Sequence, residues 1–511
     1  MKNKDTASLT YRLEKTGSGY PTLIVNYGGK DTPLHSTVNP LSEAERFASR
    51  YDPGRYDFLV ILGAAFGYHL LSLKDIISGY KKVVIIDFIS DAADILKQNP
   101  LAGFIFDSSE IMILSGVSPE KVSDILETEI DFDSIRGISL VEHPPSVRIS
   151  PGYYNTVADA LSGIIDSKSS NAATIKRFAM RYVSNIIKNL ENTGSFYPVS
   201  DLFGLFKGHK AAVIASGPSL YNYTGIIKDM KDSVFIICVD SALSVLKRSE
   251  VTPDIMVSID PQAYVTEHLE RDPGDETLKL FSISSHYARS SEYGGFLSLN
   301  SHPLSQVMEK FSSGNSGSID SGTGSVAGDA LNLALKCGFE TIYLFGFDFS
   351  FSDYNIYSRG TSYQKRYSQY FNNRFMTQET LNLNYIMRAS GSVKKDNRFT
   401  RRSFINYKEK MEKLIKDSNH PRIFNINSAG LPIEGTARKD SAGISHSSSD
   451  INKEKMKKSI QSRSTALNKT VSIPDIKKFI TNRQISDQLA AESGCAHKKE
   501  IFYKKISSLR E

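Results

Sequence analysis

Apolar runs of strand length alternate along this chain with segments whose apolar residues recur every three or four positions, the pattern of an α/β protein. Phe58–Leu62 (FLVIL) is followed by a glycine turn over 63–67, by helical spacing over 68–79, and by the run 82–86, which ends at Asp87. That is a βαβ unit. Between 153 and 192, apolar residues at three and four predict a packed helical pair, 155–166 and 173–190, with the polar 167–171 stretch as the break. Further apolar runs at 211–215, 234–239, 255–259, 280–283, 341–345 and 422–426 alternate with helical segments. They predict a mainly parallel, doubly wound sheet. After Thr436 comes a polar, low-complexity linker at 441–450 and then basic helical stretches interrupted by Pro474. With few large apolar residues per turn, this tail is expected to pack weakly or to dock on a partner.

A chain of 511 residues exceeds a single core. The pattern divides it into a Rossmann-like domain at 1–150, a helical connector at 151–205, a nucleotide-binding domain at 206–436, and a linker with a helical tail at 437–511. No apolar run of membrane-spanning length and no secretory leader is visible, so a cytoplasmic protein without a membrane span is expected. The three cysteines are far apart and read as reduced and non-ligating. The net charge of +6 would suggest nucleic acid, but the residues after Ala437 carry 16 Lys and Arg against 8 Asp and Glu, leaving the body near −2. Nucleic-acid binding is therefore not expected.

Candidate chemistry lies where the predicted strands end, because ligands of open parallel sheets bind beyond the strands' carboxyl ends. The strands run into Ser216-Gly217-Pro218-Ser219, Asp240-Ser241, Asp260-Pro261-Gln262, Gly346-Phe347-Asp348 and Asn427-Ser428. Asp, Asn, Ser and Gly favour turns and helix caps in any such domain. Two features exceed that background. Gly217-Pro218 makes a tight turn opening a helix, and Ser321-Gly-Thr-Gly-Ser325 leads directly into another, each presenting backbone N–H groups suited to a phosphate or carboxylate. In the first domain, Gly63, Gly67 and Asp87 have the order of a phosphate turn and a ribose-binding acid without the full glycine spacing, and Asp87 reads equally as a solvated strand end.

Several of these segments, ASGPSL (215–220), VSIDPQ (257–262) and TGSVAGDALNLALKCGFETIYLFGFDF (323–349), resemble the motility-associated factor (Maf) glycosyltransferases. PLHSTVNPLSEAERF (33–47) and ILGAAFGYHL (61–70) are similar to that family's amino-terminal domain, so the resemblance spans about 23–435. It implies a central domain similar to the Campylobacter-type sialyltransferases and to archaeal 6-hydroxymethylpterin diphosphokinase. The activity it implies is transfer of a nonulosonic acid, of pseudaminic or legionaminic type, from a CMP-sugar to Ser or Thr of flagellin. The alternatives are a diphosphokinase using ATP and Mg²⁺, and a non-enzymatic flagellin chaperone or assembly factor.

By the same resemblance, Gly217, Pro218 and Ser219 would hold the nucleotide phosphate, joined by Ser216, Ser241, Pro261, Thr323, Gly324 and Ser325 around the donor. Asp240 and Asp260 stand where the sialyltransferases place donor-contacting asparagines; a carboxylate repels phosphate, so both would face the nucleoside. Tyr363 matches a tyrosine that hydrogen-bonds the departing phosphate; the second such position is Ser350 here, for which Tyr354 or Tyr357 would substitute, and Asp348 is an alternative aid to departure. The histidine base of that family has no counterpart between His302 and His420; His286 is a marginal candidate and His420 reads as a surface cap. No cofactor and no metal site are expected, since the central domain lacks a DxD pair.

Overall fold

The computed structural model describes residues 9–51, 57–129, 138–269, 273–286, 294–364, 377–388, 392–395, 398–427, 429–438, 452–495 and 499–507. Ser428 and the linker expected at 441–450 lie outside the described residues. The chain forms two compact units, 1–173 and 174–511.

In the first unit, β1 (Thr10–Lys15), β2 (Pro21–Tyr27) and β3 (Lys30–Pro33) form an antiparallel sheet. β4 (Phe58–Leu62), β5 (Lys82–Asp87), β6 (Ile111–Ser115) and β7 (Ile138–Glu142) form a parallel one in the order β6-β5-β4-β7. The strand alternation explains why β4 reads as a continuous apolar run. Leu59 and Ile61 enter one core with Val83 and Ile85, while Phe58, Val60 and Leu62 enter a second with Val84 and Ile86. The helical spacing at 68–79 is realised as two short helices, Tyr68–Ser72 and Lys74–Ile77.

Asp87 is neither a solvated strand end nor open to a ribose. It is fully buried, accepting from the Ala64 N–H at 2.7 Å and the Ile89 N–H at 2.9 Å. The carboxylate ties the β4 turn to the β5 turn, and desolvation raises its pKa against the pull of those N–H groups.

The predicted helical pair is instead one helix of 41 residues, Pro151–Glu191, and the division between the units falls within it. Polar residues at 167–171 have modest helix propensity rather than a breaking one, since neither Gly nor Pro occurs there.

The second unit is built on nine parallel strands: β8 (Phe196–Pro198), β9 (Lys210–Ile214), β10 (Phe235–Val239), β11 (Ile255–Ser258), β12 (Leu278–Ser282), β13 (Gly295–Ser298), β14 (Thr341–Phe345), β17 (Ile423–Asn425) and β18 (Ala437–Arg438). A separate antiparallel hairpin pairs β15 (Ser392–Lys395) with β16 (Arg398–Arg401). The nine run in the order β18-β17-β14-β9-β10-β11-β12-β13-β8. Asn185 and Asn189, on the last turns of the long helix, donate to the carbonyls of Pro261, Ile283, Ser284 and Ser285 and so pin the loops after β11 and β12.

The tail does not pack weakly. Ile460, Leu467, Val471, Ile476, Ile480, Leu489 and Phe502 are buried in the second unit's core. Pro474 starts the helix Ile473–Ile480, where its missing N–H costs nothing, behind the N-cap Ser472. Half-buried Lys453 pairs with Asp254 at 2.6 Å and also donates to the Val234 carbonyl, and Lys457 reaches the same carboxylate at 3.3 Å. A basic composition therefore hides a docked face. No helix among the described residues is long and apolar enough to cross a membrane.

Candidate functional site

From β9 the sheet grows through β10 to β13 on one side, whereas β14, β17 and β18 lie on the other. The strand order thus reverses between β9 and β14, which is where an open parallel sheet forms a crevice for ligands. Ser216–Ser219 follows β9 and Gly346–Asp348 follows β14, so both meet there. Gly217 donates its N–H to the Gly346 carbonyl at 3.0 Å. A Cβ on Gly217 would lie 2.2 Å from both that oxygen and Asp348 Oδ2, so only glycine allows the approach.

Asp348 is buried and braces this turn. Its Oδ2 accepts from the Ser219 N–H and hydroxyl, each at 3.0 Å, and its Oδ1 from Asn427 Nδ2 at 2.9 Å. Asn427 in turn accepts from the Ala429 and Gly430 N–H groups. One acid therefore joins three strand-end loops. The amides of Gly217 and Ser219 are committed inside the protein, and Pro218 has none. These two amides are therefore not spare for the phosphate that the resemblance places on this turn. Ser216 accepts from the Ser241 hydroxyl at 2.9 Å, which leaves its own proton to donate.

Asp240 and Asp260 lie on the adjoining strand ends. Buried Asp240 accepts from the Ser241 N–H at 2.6 Å and the Ser258 hydroxyl at 2.7 Å. Desolvation raises its pKa, against the opposing influence of His268. Asp260 accepts from the Gln262 N–H at 2.8 Å and the Tyr264 hydroxyl at 2.6 Å, with Pro261 shaping the turn between them.

His268, in the short helix that follows, is only 4% exposed. Its Nδ1 is hydrogen-bonded to the Ser362 hydroxyl, and its ring meets Tyr363 edge-on with centroids 4.9 Å apart. Tyr357 stacks on Tyr363 at 3.9 Å and 7°. Burial, then Tyr357 and Tyr264, push the Tyr363 hydroxyl's pKa well up, so it is a neutral hydrogen-bond donor. Tyr354 stands apart, 53% exposed at the tip of its turn. Of the two tyrosines weighed as second members, Tyr357 is the one brought to Tyr363.

The turn before the helix Val326–Cys337 completes this edge. Ser325 caps the helix through Gly328 N–H, while Thr323 packs beneath it, leaving no room for a Cβ on Gly328. Asp329 accepts from the Ser321 N–H and hydroxyl at 2.8 and 2.5 Å, and burial pushes its pKa up to about 7. The Gly324, Val326 and Ala327 amides have no acceptor among the described residues. They form an open helix N-terminus, the chemistry that suits a phosphate.

Of the histidines weighed from the sequence, His420 braces its loop, contacting the Phe339 carbonyl at 2.8 Å and accepting from the Arg422 N–H. The His286 N–H donates to the Asp260 carbonyl. His268 was missed because it precedes Tyr363 in sequence by nearly a hundred residues. The one available signal was its place eight residues after Asp260, on the segment that follows a site strand.

A family model described as 6-hydroxymethylpterin diphosphokinase MptE-like matches residues 184–354, which contain most of this constellation. The whole architecture is similar to the structure of a Maf glycosyltransferase from Magnetospirillum magneticum AMB-1. That likeness covers 97% of this chain and 89% of the other, with a TM-score of 0.60 and 15% identity. No curated protein matches the chain by sequence. The resemblance read from the sequence is thus borne out in the fold: a Maf-like architecture around an MptE-like central domain.

Proposed function

We propose that this chain is a glycosyltransferase of the Maf type, which moves a pseudaminic- or legionaminic-type nonulosonic acid from CMP to Ser or Thr hydroxyls of flagellin in the cytoplasm. The observation that carries the reading is the convergence, at one edge of a parallel sheet with this fold, of an open helix N-terminus with the stacked tyrosines and a buried histidine. The Gly324, Val326 and Ala327 amides would take the donor phosphate, with Ser325 and Thr323 holding that turn. Asp240 and Asp260 would receive the nucleoside, and Ser216 would donate to it. Tyr363, supported by Tyr357, would hydrogen-bond the departing CMP phosphate. In the tautomer that donates Nδ1–H to Ser362, His268 would keep a lone pair on Nε2 to accept the acceptor hydroxyl's proton as the new glycosidic bond forms and the bond to phosphate breaks.

The test is thermal stabilisation of the purified chain by CMP and by ATP with Mg²⁺, followed by mass spectrometry of flagellin incubated with a CMP-nonulosonic acid. Stabilisation by CMP and a mass gain on flagellin are expected. Stabilisation by ATP and Mg²⁺ alone would sink the reading in favour of a diphosphokinase. Flagellin binding without CMP release would leave an assembly factor.

A further inference from the structure

The first unit contains a second strand-order reversal. Its parallel sheet runs β6-β5-β4-β7, so β4 has its successor β5 on one side and β7 on the other. The loops after β4 and β7 flank a pocket of about 270 Å³. Three histidines from separate segments meet there: His35 after β3, His69 after the β4 turn, and His143 directly after β7. All three are buried, and one ring nitrogen from each lies within 4.8 Å of the others.

Two of these rings are already oriented from behind. His69 Nε2 contacts the Gly63 carbonyl at 3.0 Å, which fixes the proton on that nitrogen and the lone pair on Nδ1. That Nδ1 is buried and has no hydrogen-bond partner among the described residues. His143 Nδ1 is bonded to the Ser146 hydroxyl at 2.8 Å, leaving Nε2. An imidazole held on one nitrogen by a carbonyl or hydroxyl, with the other nitrogen directed into a cavity, is the usual arrangement of a metal ligand. His35 differs, since its Nε2 accepts the Phe66 N–H at 3.1 Å.

Charge favours the same chemistry. Arg46, Arg50 and Arg148 stand exposed around the same pocket and form no ion pair among the described residues. Glu43 is engaged by the Ser36 N–H. A cation bound by neutral imidazoles under an arginine rim would keep open positions for an anion.

We propose that His69, His143 and His35 bind one divalent transition-metal ion, of the zinc or cobalt type, in the first unit. Tetrahedral bonds of about 2.1 Å place ligand nitrogens about 3.4 Å apart, so from separations within 4.8 Å the rings close by up to about 1.4 Å on binding. His69 and His143 rotate out of their stacked pair, now 4.2 Å between centroids. His35 joins by releasing the Phe66 amide, which makes it the weakest ligand. The sequence reading missed the site because its three members follow no motif spacing, and only the β4–β7 adjacency unites them.

The experiment uses the full chain, stripped with a chelator and desalted, and titrated calorimetrically with Zn²⁺ and Co²⁺. One ion per chain is expected, with affinity falling about 100-fold in His69→Ala and His143→Ala and about 10-fold in His35→Ala. Absence of stoichiometric binding would overturn the proposal, as would unchanged affinity in a folded His69→Ala, His143→Ala double variant. Should the variants unfold, X-ray absorption of the Co²⁺-loaded wild type decides: two or three imidazole nitrogens support the site, and fewer than two refute it.

Discussion

Replacing Asp348 by asparagine separates a bracing role from a catalytic one. The amide has the same shape, but one of its two arms becomes a donor. If the NH₂ faces Ser219, it meets an N–H and a hydroxyl; if it faces Asn427, it meets that residue's Nδ2. Either orientation loses at least one hydrogen bond to a charged acceptor, about 1.5–3 kcal/mol, and strands a buried donor at a further 1–3 kcal/mol. A loss of about 3–5 kcal/mol follows, which at roughly 2 °C per kcal/mol lowers Tm by about 6–10 °C. Ser219→Ala removes only the hydroxyl contact, and a double-mutant cycle between the two should return a coupling of about 1–2 kcal/mol. The assay is chemical denaturation of wild type, both single variants and the double, with donor turnover measured on each. Turnover abolished at unchanged stability would refute the brace, because it would mean that Asp348 acts on substrate rather than on the loops.

His268→Gln should lower transfer by about 100- to 10,000-fold with little change in CMP affinity, and an unchanged rate in kinetic assays would remove it as the base. Asp329 titrates near 7 in the folded chain and near 3.8 unfolded, so the native state holds the extra proton between those values. Its contribution is complete below about pH 4 and is lost as pH rises toward and through 7, about 4 kcal/mol in all; urea melts at pH 5 and 8 should show Asp329→Asn flattening that slope, and parallel slopes would refute it. Gly63→Ala forces a Cβ to 2.4 Å from Ser146 Cβ at φ +97°, and should cost more than about 2 kcal/mol in the first unit, read by amide exchange of β4. Asp254→Ala strands Lys453, Lys457 and the Ile236 N–H, and should release the tail at a cost of about 3–5 kcal/mol, seen as faster proteolysis of the last helices.

What the sequence could disclose follows from the range of each interaction. The middle strands of both parallel sheets were legible because strands buried on two faces read as unbroken apolar runs, β4, β5, β10 and β14 among them, whereas β6, β7, β8, β13 and β18 were not read. Polar residues at the strand ends were legible for the same reason, since the runs mark where strands stop. The single helix across 167–171 and the docked tail were not: a polar stretch ends a helix only if something replaces its hydrogen bonds, and a lysine-rich helix looks solvated until Asp254 is placed beneath it. His268, His69 and His143 were illegible because strand order, rather than sequence distance, makes their neighbours.

The same distinction reorders the candidate site. Reading polar strand ends as ligand-facing groups assumes that their hydrogen-bonding capacity is spare, yet both oxygens of Asp240, Asp260 and Asp348 are engaged within the protein. In a sheet whose loops must approach closely, as at Gly217 and Gly346, the acids are needed to satisfy backbone N–H groups that no strand partner reaches. Groups left for a ligand are then the second lone pairs of Asp240 and Asp260 together with the groups that the acids have positioned: the amides of Gly324, Val326 and Ala327, the Ser216 hydroxyl, the stacked tyrosines and His268. Substitutions at the acids should accordingly disturb stability and donor affinity together, whereas those at Tyr363 and His268 should act on turnover alone.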